Sequence, residues 1–327
     1  MDVLVWSNMR REVPGWAEAM TLIRDAGHTV VDPGFGDFDQ RHLLAGADAL
    51  IVGSNPVDAG LLRSAGRARL VAKPGIGVDN IDVAAATELG IGVSNTPGSN
   101  SDTVADHALA LMLALLRNVV SLDAVTRTGH GWDTWPVIGR ELHGAVVAVL
   151  GTGNIGAAVV KRLARGFDCT VLANDVAPRP DLERDFGVRY GPLAEILPLA
   201  DVVTVHVPKL PSSVGLLGER EIACLKSDAI VVNAARDGVV DEDALAAALR
   251  DGRIAGAAID VFTGEPAVDS VFFGLPNTIV TPHIAGYSRA SMTRARIMLA
   301  EDVVAALDGR PRHLVNPGVL TGSAVRR

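Results

Sequence analysis

The stretch Val146-Val147-Ala148-Val149-Leu150-Gly151-Thr152-Gly153-Asn154-Ile155-Gly156 decides how this chain is read. Five consecutive apolar residues predict a strand buried on both faces, and the amphipathic run Ala157 to Arg165 predicts the helix behind it. Between them stands G-x-G-x-x-G, in the strand–turn–helix setting that a dinucleotide-binding turn requires. Gly151 permits the tight turn, Gly153 lets backbone approach a pyrophosphate, and Gly156 lets helix and strand pack closely. The helix start then offers unpaired N–H groups and partial positive charge to phosphate. Asp175 closes the next apolar run, Thr170-Val171-Leu172-Ala173. An acid there accepts the adenosine ribose hydroxyls and repels a 2′-phosphate, so NAD is expected over NADP. Arg179 keeps NADP open, because a nearby arginine can hold that phosphate.

Outward from this turn, short apolar runs alternate with helical patterns. Downstream are Val202-Val203-Thr204-Val205, Ala229-Ile230-Val231-Val232 and Ala257-Ala258-Ile259; upstream are Leu4-Val5-Trp6, Ala49-Leu50-Ile51-Val52 and Leu70-Val71-Ala72. Such alternation means βαβ units and parallel sheets. Two series predict an α/β protein of two Rossmann-like or flavodoxin-like doubly wound domains. A helix from about Ser101 to Val120, N-capped by Ser101 or Asp102, is expected to lead from the first to the second. Another spans about Ser288 to Leu307, and the residues after Val319 read as a frayed tail.

The 327 residues carry a formal charge of −8, which excludes a basic footprint for nucleic acid or an anionic membrane. Cys169 and Cys224 build neither a metal site nor a disulfide framework. No basic segment followed by an apolar run opens the chain, so no signal peptide is expected. The most apolar helix, about Val104 to Leu116, contains Asp106 and His107 and falls short of the roughly 20 residues of a membrane span. A cytoplasmic protein is expected.

Three segments place polar residues just after apolar strands, where ligands bind in open α/β sheets. Arg236 follows Val231-Val232-Asn233-Ala234-Ala235; Asp260 ends Ala257-Ala258-Ile259, with Glu265 beyond it; His283 follows Ile279-Val280. Reducing a 2-keto acid needs this set. Hydride delivery leaves negative charge on the C2 oxygen, and histidine is the natural proton donor near neutral pH. A carboxylate fixes the imidazole tautomer, and a guanidinium binds the substrate carboxylate and polarises the carbonyl. Each residue also has a plainer reading as a structural histidine, a surface turn or loop punctuation.

These segments together resemble the D-isomer-specific 2-hydroxyacid dehydrogenase family. The similarity is strongest from Leu225 to Leu245 and on through Gly256 to Phe262; Gly75-Ile76-Gly77-Val78-Asp79-Asn80-Ile81-Asp82, Asn95-Thr96-Pro97-Gly98 and Ala200 to Pro208 add to it. The resemblance implies a discontinuous substrate-binding domain (1–99 and 288–327), an NAD-binding domain (100–287), an active-site cleft between them and a homodimer. It implies Arg236, Glu265 and His283 as catalytic residues. It also implies cofactor contacts at Thr103, Asn154, Ile155, Asp175, Val207, Pro208, Ala234, Ala235, Arg236, Asp260, His283 and Ala285, with Asp260 near the carboxamide. Ser54, Lys73 and the loop Gly75-Ile76-Gly77 would face the substrate, the loop as a backbone nest for its carboxylate. His206 reads as a structural residue at a strand end.

Within the family, phosphoglycerate dehydrogenases hold a phosphate with basic residues. Val52-Gly53-Ser54-Asn55-Pro56 has no arginine, and Lys73 is the one cation near the glycine loop. Gly131-Trp132-Asp133-Thr134-Trp135-Pro136 is similar to a loop of glyoxylate/hydroxypyruvate reductases in which the second tryptophan reaches the neighbouring subunit's site. Either Trp135 does so here or both tryptophans anchor a dimer. A small 2-keto acid such as glyoxylate or hydroxypyruvate is the expected substrate. The alternatives are 3-phosphoglycerate, phosphite-type oxidation and a non-enzymatic NAD(H) sensor. Glu265, a carboxylate where formate dehydrogenases carry glutamine, argues against formate.

Overall fold

The computed structural model describes residues 1–8, 10–34, 41–134 and 137–320. The chain divides into two compact units: Met1–Asn100 with the segment from Tyr287 onward, and Ser101–Gly286.

The first unit runs β1 (Asp2–Trp6), α1 (Trp16–Asp25), β2 (Thr29–Val31), α2 (Arg41–Leu44), β3 (Ala49–Val52), α3 (Ala59–Ser64), β4 (Leu70–Ala72), α4 (Val83–Glu88) and β5 (Gly92–Ser94). Its sheet is parallel, in the order β2-β1-β3-β4-β5. Alternation of side chains along each strand builds two cores. Leu4, Trp6, Leu50, Val52 and Val71 enter one, and Val3, Val5, Ala49, Ile51 and Leu70 the other. Strands β3 and β4 are buried throughout, which is why they read as unbroken apolar runs. Asp58 and Asp82 cap α3 and α4 by accepting from the Leu61 and Ala85 amides.

The second unit runs α5 (Ser101–Leu116), α6 (Val119–Arg127), β6 (Val146–Leu150), α7 (Asn154–Gly166), β7 (Thr170–Asn174), α8 (Pro180–Phe186), β8 (Arg189–Tyr190), α9 (Leu193–Ile196), β9 (Val202–Val205), α10 (Glu219–Ile222), β10 (Ile230–Asn233), α11 (Glu242–Arg250), β11 (Gly256–Ile259) and β12 (Thr278–Val280). The parallel order β12-β11-β10-β9-β6-β7-β8 reverses direction at β6, the doubly wound pattern of a dinucleotide fold. Ala148, Leu150, Val203, Val231 and Ile259 face one core, while Val147, Val149, Val202, Val232 and Ala258 face α5 and α7 in the other. Cys169 lies in this second core, where burial pushes its thiol up to about 11. The chain then enters α12 (Arg289–Leu307), capped by Ser288 and packed on α1 in the first unit.

Three expectations are corrected. The helix from Ser101 does not reach Val120: it stops at Leu116, Asn118 turns left-handed (φ 54°), and α6 begins anew. Ser101 and Asp102 lie inside its first turn instead of capping it, and Asp102 and Asp106 bind Arg162 of α7. The helix after the glycine turn begins at Asn154, not Ala157. Strands β2, β5 and β8 went unread because they are two or three residues long and partly polar. β5 is held from outside its own segment, by Asn316 on Val93 and by a bridge to Leu314. Among the described residues, no single helix is long and apolar enough to cross a membrane.

Candidate active site

The glycine turn sits at the carboxyl end of β6, beside the crossover between β6 and β9. Gly151 has φ 90°, and a side chain there would strike Val207 at 2.7 Å and the His206 carbonyl at 2.9 Å. A Cβ on Gly156 would lie 1.9 Å from the Gly151 oxygen. One on Gly153 would meet nothing within 4 Å, so the turn faces open space there. No side chain caps α7, and its first amides are left for a ligand. These residues fit a pyrophosphate.

Asp175, just past β7, braces the turn from behind. Its Oδ2 accepts from the Thr152 amide at 2.5 Å and the Thr152 hydroxyl at 3.0 Å, and its Oδ1 from the Ala177 amide at 2.8 Å. Burial opposes ionisation, but these donors outweigh it and hold the carboxyl below the usual range. Tyr190 donates to the Thr152 hydroxyl at 2.9 Å, extending the network to β8. Arg179 forks onto Asp181 at 2.7 and 3.1 Å. Ile155 packs on buried Val104, Ala234 and Ala285, so three expected cofactor contacts share one cluster with Val104, the neighbour of Thr103. Val207 and Pro208 follow β9, and the Pro208 carbonyl accepts from Ser213. The His206 ring meets Thr204 through Nε2, while Nδ1 is enclosed without a partner; burial pulls its pKa down to about 4.

Arg236, Asp260 and His283 follow the adjacent strands β10, β11 and β12. Asn233 wraps the turn after β10, donating to the Arg236 carbonyl and accepting from the Ala235 amide, both at 3.1 Å. Arg236 Nη1 donates to the Ala235 carbonyl at 2.7 Å. Glu265 is fixed at both oxygens: Oε1 accepts from the Phe262 amide at 2.9 Å and Oε2 meets His283 Nδ1 at 2.6 Å. The imidazole is thereby aimed, with Nε2 left for chemistry. His283 itself has φ 53°, uncommon for a residue with a side chain. Fully buried Asp260 explains how that kink is held. Its Oδ1 accepts from the Thr281 hydroxyl at 2.5 Å and the Ile284 amide at 2.9 Å, and its Oδ2 from the Ala285 amide at 2.9 Å. Asp260, expected beside a carboxamide, thus spends both oxygens on the loop carrying His283.

In the first unit, the loop Gly75-Ile76-Gly77 follows β4. Gly75 has φ 115°, and Thr96 Oγ1 takes its amide at 2.7 Å. The expected nest therefore offers the Ile76 and Gly77 amides without that of Gly75. Asn95 holds the Ile76 carbonyl, Ser99 holds the Thr96 carbonyl, and Arg294 holds the Ser99 carbonyl. Lys73 donates to Asn80 Oδ1, and Asn80 Nδ2 donates to the carbonyls of Gly53 and Asn55 on either side of Ser54. Trp135 lies outside the described residues. Sequence reading gave no role to Asn80, Thr96 and Thr152, although they stand within the quoted motifs, or to Tyr190 and Thr281, because their bonds are made to partners that only the fold brings near.

Residues 109–285 match the family model for the D-isomer specific 2-hydroxyacid dehydrogenase, NAD binding domain. A glyoxylate reductase of Korarchaeum cryptofilum is 40% identical over 84% of this chain and 84% of its own length. A D-3-phosphoglycerate dehydrogenase of Mycobacterium leprae is 42% identical over 83% of this chain, which spans about half (52%) of that longer relative. The crystal structure of a D-lactate dehydrogenase from Aquifex aeolicus, complexed with NAD and lactic acid, superposes with a TM-score of 0.83 at 27% identity, covering 94% of this chain and 96% of its own. The chain belongs to the D-isomer-specific 2-hydroxyacid dehydrogenase family, nicotinamide-dependent oxidoreductases acting on the CH–OH group of 2-hydroxy acids.

Proposed function

We propose that the protein reduces a small 2-keto acid, such as glyoxylate or hydroxypyruvate, to its D-2-hydroxy acid with NADH, and runs the reverse with NAD. The observation that carries this reading is the 2.6 Å contact between Glu265 Oε2 and His283 Nδ1. A carboxylate-backed imidazole is held in one tautomer and one orientation toward the substrate oxygen. His283 gives its Nε2 proton to that oxygen in reduction and takes it back in oxidation. The Arg236 guanidinium binds the substrate carboxylate and the charge growing on the C2 oxygen. When bound, the nicotinamide supplies or accepts the hydride. Gly153, Asn154 and Ile155 hold the pyrophosphate, and Thr103, Val207, Pro208, Ala234, Ala235 and Ala285 wall the dinucleotide.

The second unit serves as the dinucleotide domain and the first as the substrate domain, in which the Ile76 and Gly77 amides and Lys73 face the substrate. NAD is favoured over NADP because Asp175 is held ionised and Arg179 is committed to Asp181. A small substrate is favoured because Val52 to Pro56 brings no cation to a phosphate. A homodimer is favoured by α6, which buries no residue and leaves Val119 and Val120 exposed near exposed Ile138. Two free cysteines suit the cytoplasm.

The test is nicotinamide absorbance with glyoxylate, hydroxypyruvate, pyruvate and 3-phosphohydroxypyruvate, each with NADH and NADPH. Turnover of a short acid with NADH supports the proposal. Preference for the phosphorylated acid would reassign the substrate, and tight NADH binding with no turnover would favour a sensor.

A further inference from the structure

His107 lies midway along α5, on no motif. Its Nε2 stands 3.3 Å from Thr281 Oγ1 and 3.7 Å from Asp260 Oδ1. The single hydroxyl proton of Thr281 is committed to Asp260 at 2.5 Å, so the hydroxyl oxygen can only accept from His107. The network therefore assigns the imidazole its Nε2–H form. A directed chain results: His107 Nε2–H to Thr281 Oγ1–H to Asp260. Asp260 then receives the Ile284 and Ala285 amides, the two that follow His283. Thr281 is also tied to β11 through its own amide on the Ile259 carbonyl at 2.9 Å, and His283 closes on the Thr281 carbonyl at 3.0 Å.

We propose that His107, acting through Thr281 and Asp260, is a positioning residue that holds the left-handed loop at His283 and so keeps the imidazole on Glu265. The inference rests on the proposed role of His283. Left-handed backbone at a residue with a Cβ is held only where its surroundings over-determine it. Here a buried carboxylate does so, and its hydroxyl donor is itself oriented by the helix behind it. Asp260 faces His107 and Thr281, Glu265 faces His283, and Asp102 and Asp106 on α5 are bound to Arg162 of α7. Hydrogen bonds to an ionised acceptor are roughly twice as strong as neutral ones, so aligning Thr281 on Asp260 matters more than its 3.3 Å link to His107 suggests.

The experiment compares His107→Ala, His107→Gln, Thr281→Val, Thr281→Ser and the His107→Ala/Thr281→Val double variant in the full chain. Two readouts are taken: steady-state kinetics, and amide hydrogen exchange at Ile284 and Ala285. Glutamine keeps an N–H donor near the place of Nε2, and serine keeps the hydroxyl. The expected result is a roughly tenfold fall in kcat for the Ala and Val variants, with KM and NADH affinity within about twofold, and exchange at both amides at least about tenfold faster. Gln and Ser restore both readouts, and the double variant is no worse than Thr281→Val. Unchanged exchange, equal losses in Gln and Ala, or additive losses in the double variant would overturn the proposal. Exchange is read without substrate, so a chain that turns over no keto acid but still loosens at Ile284 and Ala285 refutes the catalytic reading and leaves the positioning role standing.

Discussion

Two glycine-rich loops follow parallel strands in this molecule, and they are built on different principles. The turn after β6 is written in its own sequence: Gly151 turns, Gly153 opens, Gly156 lets α7 approach, and a helix of thirteen residues starts at once. The loop after β4 is written elsewhere. Gly75 is held by Thr96, Ile76 by Asn95, and the segment behind them by Ser99 and Arg294. Its N–H groups are exposed by side chains from β5's end and α12, not by a helix start. A local code suits a ligand part shared by many enzymes, and a tertiary code suits a part that varies with substrate.

Alanine substitutions should separate the two most sharply. Gly156→Ala drives a methyl into the Gly151 oxygen and is expected to weaken NADH about a hundredfold or more, by fluorescence titration. Gly75→Ala meets no atom but strains a φ of 115°, and is expected to raise keto-acid KM about tenfold while NADH affinity holds. Equal effects on both ligands would erase the distinction.

A second contrast lies beside Gly151, at His206. Its folded pKa of about 4 lies below the ordinary value, so the unfolded chain takes up a proton that the folded chain refuses. Stability should therefore fall as pH drops through 6.5 and go on falling to about 4. His206→Gln should flatten that limb in urea melts across the interval; an unchanged slope would show that other groups set it.

The smallest effect is at Asp175. Asp175→Asn keeps an acceptor for Thr152 but removes the charge, and should shift the NADH-to-NADPH preference about tenfold toward NADPH. A preference that stays put would assign cofactor choice to another residue.

The same division explains what the sequence disclosed. Buried strands such as β3, β9 and β10 announce themselves because both faces are apolar, and Arg236, just past the end of β10, could be picked out by position. Short β8 could not, since two half-polar residues carry no period. The break at Asn118 was hidden because Val119 and Val120 continue an apolar pattern while facing outward. Asp260 was legible as a strand-end acid, but its commitment to Thr281, Ile284 and Ala285 depends on groups over twenty positions away that only folding brings near.

The most direct test is single-turnover reduction of a short 2-keto acid by His283→Ala loaded with NADH. A roughly hundredfold slower step with NADH affinity unaltered is the predicted outcome for a lost proton donor. A rate equal to the parent's would contradict it and release the Glu265–His283 pair from the chemistry.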